Sequence, residues 1–332
     1  MKRFLPVIFC FLLFSTVSCV KNVEEGPDSI TLNYTDLQLQ VGSGKQLLAR
    51  RYDASQIIWS SSDSTVASIN DKGIIVALKE GQTTMTAKSK QYNISAVCHV
   101  IVSAMVIEGK DIGIGADGSM FIIGTDSTSA SSGYSISKLV NNTLTKLPDC
   151  GAVRVAVSPT GVPWVVTKAH KILKYNGNGW DEMPGLGTDI AIGANGAVFA
   201  IGNIETSPSG GNNIMRWTGT AWEDMLDCAA IRIAVTPAGI PWVVNKSGLV
   251  YVFGGDYLWK AFDNIQASDI GIGADGSVFV TGKNTGDANP DIFKYDGFFN
   301  WNNLNITGGT NISVTPDGKA WWIDKANLVH HQ

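Results

Sequence analysis

From Ile30 to Ser103 the chain runs in short stretches of alternating apolar and polar residues, with turn-forming residues returning every eight to twelve positions, the spacing of a β-sandwich. Leu37-Gln38-Leu39-Gln40-Val41 alternates strictly, and Gly42-Ser43-Gly44 ends it as a turn. Beyond residue 104 the same period sits inside a longer one. Six hairpins align on a turn glycine, Gly118, Gly161, Gly196, Gly239, Gly276 and Gly318, at spacings of 43, 35, 43, 37 and 42 residues. Each is an alternating strand, such as Asp111-Ile112-Gly113-Ile114, running into a tight turn of the Asp-Gly or Asn-Gly kind. Three residues after each glycine stands an aromatic: Phe121, Trp164, Phe199, Trp242, Phe279 or Trp321. A third strand and a Trp-led fourth follow, as in Trp180-Asp181-Glu182-Met183.

Four short strands repeated six times predict a β-propeller with six blades, because such repeats bury their faces by stacking on one another. The last unit is one strand short. Residues 104–108, ahead of the first unit, are the candidate to complete it and so remove an open sheet edge. The expected fold is all-β, a sandwich over 30–103 followed by a six-bladed propeller over 104–332.

Two segments precede these domains. Met1-Lys2-Arg3 and the apolar run 4–14 have the layout of an export signal, too short for a membrane span, so residues 1–18 are read as a signal peptide. Ser15-Thr16-Val17-Ser18-Cys19 resembles the lipobox of bacterial lipoproteins, with Thr16 where that motif prefers Leu. The resemblance implies that Cys19 is the acylated N-terminus, that 19–29 is a tether, and that the protein is exported and lipid-anchored to the outer membrane or cell surface of a bacterium. Ordinary cleavage, leaving Cys19 a spare thiol, is the alternative.

Composition narrows the chemistry. With 25 Lys+Arg against 29 Asp+Glu and a formal charge of -4, the chain lacks the basic balance of a nucleic-acid binder. The 44% apolar content excludes disorder. Cys98, Cys150 and Cys228 fall in the body of the chain, and three cannot all pair, which predicts small buried thiols instead of a disulfide framework. His99, His170, His330 and His331 show no metal-ligand spacing, and neither a nucleophile elbow nor a phosphate loop occurs. We therefore expect no enzyme, metal or cofactor.

The run from Ile58-Trp59-Ser60-Ser61-Ser62-Asp63 to Val66-Ala67, then Gly73-Ile74-Ile75-Val76-Ala77, Glu80-Gly81 and Thr84-Met85-Thr86-Ala87, resembles the group 2 bacterial Ig-like family. That resemblance implies an Ig-like β-sandwich acting as spacer or adhesin segment without catalytic residues. The stretch Trp180 to Gly185 and the repeated Asp-Ile-x-Ile-Gly and Pro-x-Gly-x-Pro-Trp runs resemble tectonin repeats across 104–332. Blade 1 departs from the pattern, with Thr143-Leu144-Thr145 in place of the Trp-led strand. Tectonin-like propellers include lectins for lipopolysaccharide or modified glycans at blade loops, so the resemblance implies a glycan or lipopolysaccharide as partner.

Two sets of residues are candidates for that chemistry. Asp111, Arg154, Asp189, Arg232, Asp269 and Asn311 stand seven positions before the turn glycines, so opposite charges alternate around the axis. They form either a polar channel mouth that holds a ligand or an Asp–Arg lock between blades. The odd blades also insert Ser/Thr/Asn/Gly-rich loops between second and third strands, at 125–134, 203–212 and 283–290, and strand alternation puts all three on one face. They bring Tyr134, Ser135, Asn212, Asn213, Asn284, Asp287 and Asp291 there, as ligand-binding groups for hydroxyl-bearing molecules or as simple solvated tips. The repeated aromatics are read as packing between blades. The expected function is non-catalytic carbohydrate binding at the cell surface, with three weak, similar loops acting together. A protein-interaction or adhesion scaffold of the envelope is the alternative.

Overall fold

The computed structural model describes residues 29–50, 52–129, 131–140, 143–255, 258–283 and 290–332; the signal segment, Cys19, Asn284 and Asp287 lie outside them. The chain divides into two compact units, one of 43–102 with the segment ending at Leu39, the other of 103–332 with 40–42.

In the first unit, Asp36–Gln40, Ser95–Ser103, Gly81–Ser89 and Ile57–Ser61 form one antiparallel sheet in that spatial order, and Gly44–Gln46, Ile74–Ala77 and Ala67–Ile69 form another. Burial alternates along both, with Met85, Ala87, Cys98 and Val100 turned inward on the larger sheet and Ala67, Ile75 and Ala77 on the smaller. One apolar face per sheet is what a sandwich core needs. Trp59 is half-buried, and its ring lies against Gly73, where a Cβ would come within 3.1 Å of it.

In the second unit the inner strands are Asp111–Ile114, Arg154–Val157, the end of Trp180–Ile192, Arg232–Val235, the end of Trp259–Ile272 and Asn311–Val314. Among the described residues each packs beside the next, and the sixth also packs beside the first. Trp180–Ile192 is the outer strand of blade 2 and continues as the inner strand of blade 3; Trp259–Ile272 joins blades 4 and 5 in the same way. Blade 6 holds Asn311–Val314, Ala320–Ile323 and Val329–His331, and its fourth position is filled from the other end of the unit. Val329 N–H donates to Ile107 O at 2.8 Å, and Gly109 N–H donates to Asn327 O at 2.8 Å.

The core lies between blades. Trp164 and Val166 of blade 2 pack with Ile190, Val198 and Ala200 of blade 3, and Phe199 and Ile201 of blade 3 with Ile233 and Val243 of blade 4. The recurrent aromatics are thus inter-blade packing, each buried ring contributing on the order of 2 kcal/mol. Near the axis the backbones crowd: a Cβ on Gly113 would come within 2.8 Å of Val155 O. This explains the small residues two places into these strands.

Candidate functional site

The ring of charged residues closes on itself. Each odd-blade carboxylate accepts a backbone N–H from the next inner strand: Asp111 from Val155 at 2.8 Å, Asp189 from Ile233 at 3.1 Å and Asp269 from Ile312 at 2.9 Å. The other oxygen of Asp111 takes Arg154 Nη1 at 3.1 Å and Asn311 Nδ2 at 2.9 Å. Arg154 Nε also lies 3.7 Å from Asp189, and Arg232 Nε 3.4 Å from Asp269. Burial pushes the Asp111 carboxyl up to about 6, against the pull of Arg154, and burial raises Asp269 as well. Burial works against the charge on Arg154, but Asp111, Asp189 and Asp269 together hold its guanidinium protonated. The hollow along the axis is only about 80 Å³. Asp111, Asp189, Asp269, Arg154 and Asn311 are thus bonded across blade boundaries, whereas Arg232 donates Nη1 to its neighbour Ile231 O at 2.7 Å and its buried Nε makes no hydrogen bond among the described residues.

The long insertions of blades 1 and 3 are strands, where loops were expected. Met120–Ser129 returns as Gly133–Val140, and Val198–Ser207 returns as Gly211–Trp217, with Ser131 and Ser132 the described residues at the first tip and 208–210 at the second. The two hairpins match in register, with Ser127 opposite Tyr134 and Ser129 opposite Gly133 in one, and Glu205 opposite Asn212 and Ser207 opposite Gly211 in the other. Ser and Thr suit an exposed ladder as well as a loop, so composition does not separate the two. The tips are also anchored. Ala169 N–H donates to Ser131 O at 2.9 Å, and Ser247 N–H donates to Ser209 O at 3.0 Å, tying each tip to the tight turn of the next blade.

This arrangement takes several expected ligand groups out of play. Ser135 and Asn213 are buried, because the third residue of the returning strand points inward. Asn213 Nδ2 donates to Asp224 at 2.7 Å, and in blade 5 Asn303 Nδ2 donates to Asp291 at 2.7 Å, so amide and carboxylate trade strands while the bond stays. Asn212 Nδ2 donates to Gly202 O at 2.8 Å. Tyr134 is half-buried, with Lys110 Nζ 4.9 Å from its ring centre.

Open polar surface lies instead beside the outer strands. In Thr143–Ala152 and Trp222–Ala230 the backbone bulges at Asp149, with φ 53°, and at Asp227, with φ 66°. Asp and Asn tolerate this left-handed region better than most residues. Between each bulge and the hairpin of its own blade is a cleft. In blade 1 it measures about 670 Å³ and is lined by Thr128, Ser129, Ser132 and 146–151. In blade 3 it measures about 510 Å³, is lined by Ser207, Ser209, Asn213 and 224–229, and extends to Asn245 and Tyr251 of blade 4. Both volumes suit a sugar-sized ligand. Cys150 and Cys228 occupy equivalent places, and burial pushes both thiols up to about 11, so they stay protonated near neutral pH.

Each bulge is held from behind. Trp180 Nε1 donates to Pro148 O at 3.1 Å, Trp222 to Pro184 O at 2.8 Å and Trp259 to Leu226 O at 3.1 Å. Sequence reasoning missed this lock; its signal was the Pro-Asp, Pro-Gly or Leu-Asp pair at one register of successive outer strands. In blade 4 that place holds Asp263-Asn264 without a left-handed residue, and Trp301 Nε1 is buried with no partner among the described residues.

Parts of the chain are similar to known proteins. Residues 28–100 match the bacterial Ig-like domain family (group 2). A stretch of 172 residues, 48% of this chain, is 30% identical to an uncharacterized protein of Clostridium acetobutylicum, and spans only 18% of that protein's length. Among solved structures the chain is similar to the WD40 β-propeller domain of Doa1, at 10% identity over 80% of this chain and 88% of that one with a TM-score of 0.47. It is similar to YCF48 bound to D1 peptide, at 16% identity over 68% and 78% with a TM-score of 0.43. It is also similar to an auxiliary nutrient binding protein from Bacteroides ovatus, at 10% identity over 92% and 98% with a TM-score of 0.42. The chain is all-β, with a bacterial Ig-like domain followed by a β-propeller. No helix among the described residues is long and apolar enough to cross a membrane.

Proposed function

We propose that the propeller is a non-catalytic carbohydrate-binding module that takes its ligand in the clefts beside the bulged outer strands of blades 1 and 3. The observation that carries this reading is the lining of the blade 3 cleft, where hydroxyls of Ser207 and Ser209 and carboxylates of Asp224 and Asp227 surround the exposed Leu226. Hydroxyl-bearing rings need hydrogen-bond partners and an apolar contact, and this cleft offers both. The thiols in both clefts remain protonated, and the carboxyls raised by burial sit in the bonded ring, so binding without chemistry is the consistent reading. Six-bladed closure, a lipid anchor at Cys19 and display at the cell surface, with the Ig-like domain as spacer, belong to the same proposal.

The test is an array of glycans that includes lipopolysaccharide, probed with the protein and with Leu226→Asp. Binding that falls at least about tenfold in the variant supports the cleft; binding to no glycan overturns the reading. One separate observation favours a protein partner. Leu258, Phe298 and Phe299 are 64%, 81% and 61% exposed at the hairpin tips of blades 4 and 5, on the face opposite the clefts. Pull-down from the cell envelope with Phe298→Ser and Phe299→Ser as controls tests that alternative.

A further inference from the structure

The two clefts share a backbone but not a ligand chemistry. At the outer-strand position facing the hairpin, blade 1 carries Lys146 and blade 3 carries Asp224. The blade 3 cleft thus has two carboxylates, Asp224 and Asp227, and no lysine or arginine in its lining. One oxygen of Asp224 accepts the Asn213 amide, which leaves the other open, while Asp227 is exposed and has no hydrogen-bond or ion-pair partner among the described residues.

The cleft also reaches two groups in blade 4 that blade 1 does not have in blade 2. Asn245 is only 6% exposed. Its Oδ1 accepts Leu249 N–H at 2.8 Å, but its Nδ2 has no partner among the described residues and lines the cleft. Although the residue as a whole is buried, this donor keeps access to the cleft, where water or a ligand can bond it. Tyr251 is half-buried at the same wall, with its hydroxyl unpaired among the described residues. Their counterparts in blade 2 are Thr167 and Leu173, neither of which lines the blade 1 cleft.

We infer that the cleft between blades 3 and 4 is a single site for a protonated amino sugar. Asp227 and Asp224 receive the ammonium group, while Asn245 Nδ2 and the Tyr251 hydroxyl meet ring hydroxyls. Leu226 covers the apolar face of the ring. This rests on the carbohydrate reading above and sharpens it, since one pair of blades then holds the amine-selective site in place of three equivalent loops. The charge reversal at Lys146 excludes the same ligand from blade 1, as an unfavourable contact sets specificity as firmly as a favourable one.

The experiment titrates the full chain with glucosamine, N-acetylglucosamine and glucuronate, following amide and side-chain shifts by nuclear magnetic resonance. Variants are Asp227→Asn, which retains the left-handed backbone, Asn245→Asp, which retains the oxygen facing Leu249, and Tyr251→Phe. Glucosamine should bind with one-to-one stoichiometry and at least about fivefold more tightly than the acetylated sugar, with the difference shrinking in high salt. Asp227→Asn should abolish that preference, and Tyr251→Phe should weaken both sugars about threefold, while unchanged thermal unfolding shows that the fold is intact. Equal binding of glucosamine and N-acetylglucosamine, lost in Tyr251→Phe, overturns the amine selectivity and leaves the carbohydrate reading standing. Binding insensitive to all three variants overturns the location. Binding of none of these sugars, nor of any glycan on the array, overturns both.

Discussion

The clefts of blades 1 and 3 are built on one plan. Both have a hairpin with a serine pair 3.5 Å apart at its tip, a left-handed aspartate in the outer strand, a buried-side thiol beyond it and a tryptophan from the next blade bonded to the bulge carbonyl. They differ at five matching positions, with Pro148, Lys146, Ser135, Thr167 and Leu173 against Leu226, Asp224, Asn213, Asn245 and Tyr251. The repeat thus keeps the scaffold the same in both blades, while the residues in and around the clefts, buried ones such as Asn213 and Asn245 included, differ. Under the binding proposal, specificity would come from that second group, since one frame can carry different sites.

The largest effect should come from the frame that both clefts share. Burial makes Asp111 hold its proton up to about 6 in the folded protein, whereas an exposed aspartate releases it near 3.8. The folded state therefore binds more protons than the unfolded chain in that interval. Its contribution is fully present below pH 3.8 and is lost as pH rises through about 6, a change of about 3 kcal/mol. Denaturant unfolding at steps between pH 4 and 7 should show this fall, and Asp111→Asn should flatten it. An identical slope in the variant would remove Asp111 as the cause.

Next come the hairpin turns. Gly133 and Gly211 sit at φ 111° and 112°, where a Cβ would lie 2.6 Å from Ala152 O and 2.7 Å from Ala230 O. Gly133→Val and Gly211→Val should each cost about 1–3 kcal/mol in thermal unfolding, by similar amounts. A large inequality would show that the two scaffolds are not equivalent.

A smaller effect isolates the bulge lock. Trp180→Phe, Trp259→Phe and Trp301→Phe remove the same ring volume, but only the first two remove a bond. The first two variants should lose about 1 kcal/mol more than the third in denaturant unfolding. Smallest is the rim of the blade 3 cleft, where Lys246 and Glu205 pair at 3.1 Å with both side chains more than half exposed. Glu205→Gln should shift stability by less than about 1 kcal/mol, and the shift should vanish in high salt.

Much of the frame was legible in the sequence. The six turn glycines mark positions of left-handed backbone, the aromatics three residues on and the small residues at the axis mark positions where another choice costs packing, and all recur. The sites were less legible for the same reason. Ser135, Asn213 and Asp291 have the composition of ligand groups, but pairing with neighbouring strands turns the first two inward and bonds the amides and carboxylates to each other. Asn245 and Tyr251 lie 32 and 38 residues after Asn213, in another blade, and no periodicity joins them to Asp227.

Period-2 alternation and the long repeat by themselves determined the strands, their grouping into blades and the faces that would be buried, because those follow from local geometry repeated along the chain. Only the tertiary structure decided that the long insertions of blades 1 and 3 are docked hairpins, that the odd-blade carboxylates of the ring accept backbone N–H groups from the next inner strand, and that the open polar surface lies beside the bulges. Each of these depends on which backbone groups a neighbouring blade leaves unpaired, and that is a property of two blades in contact that neither blade's sequence contains.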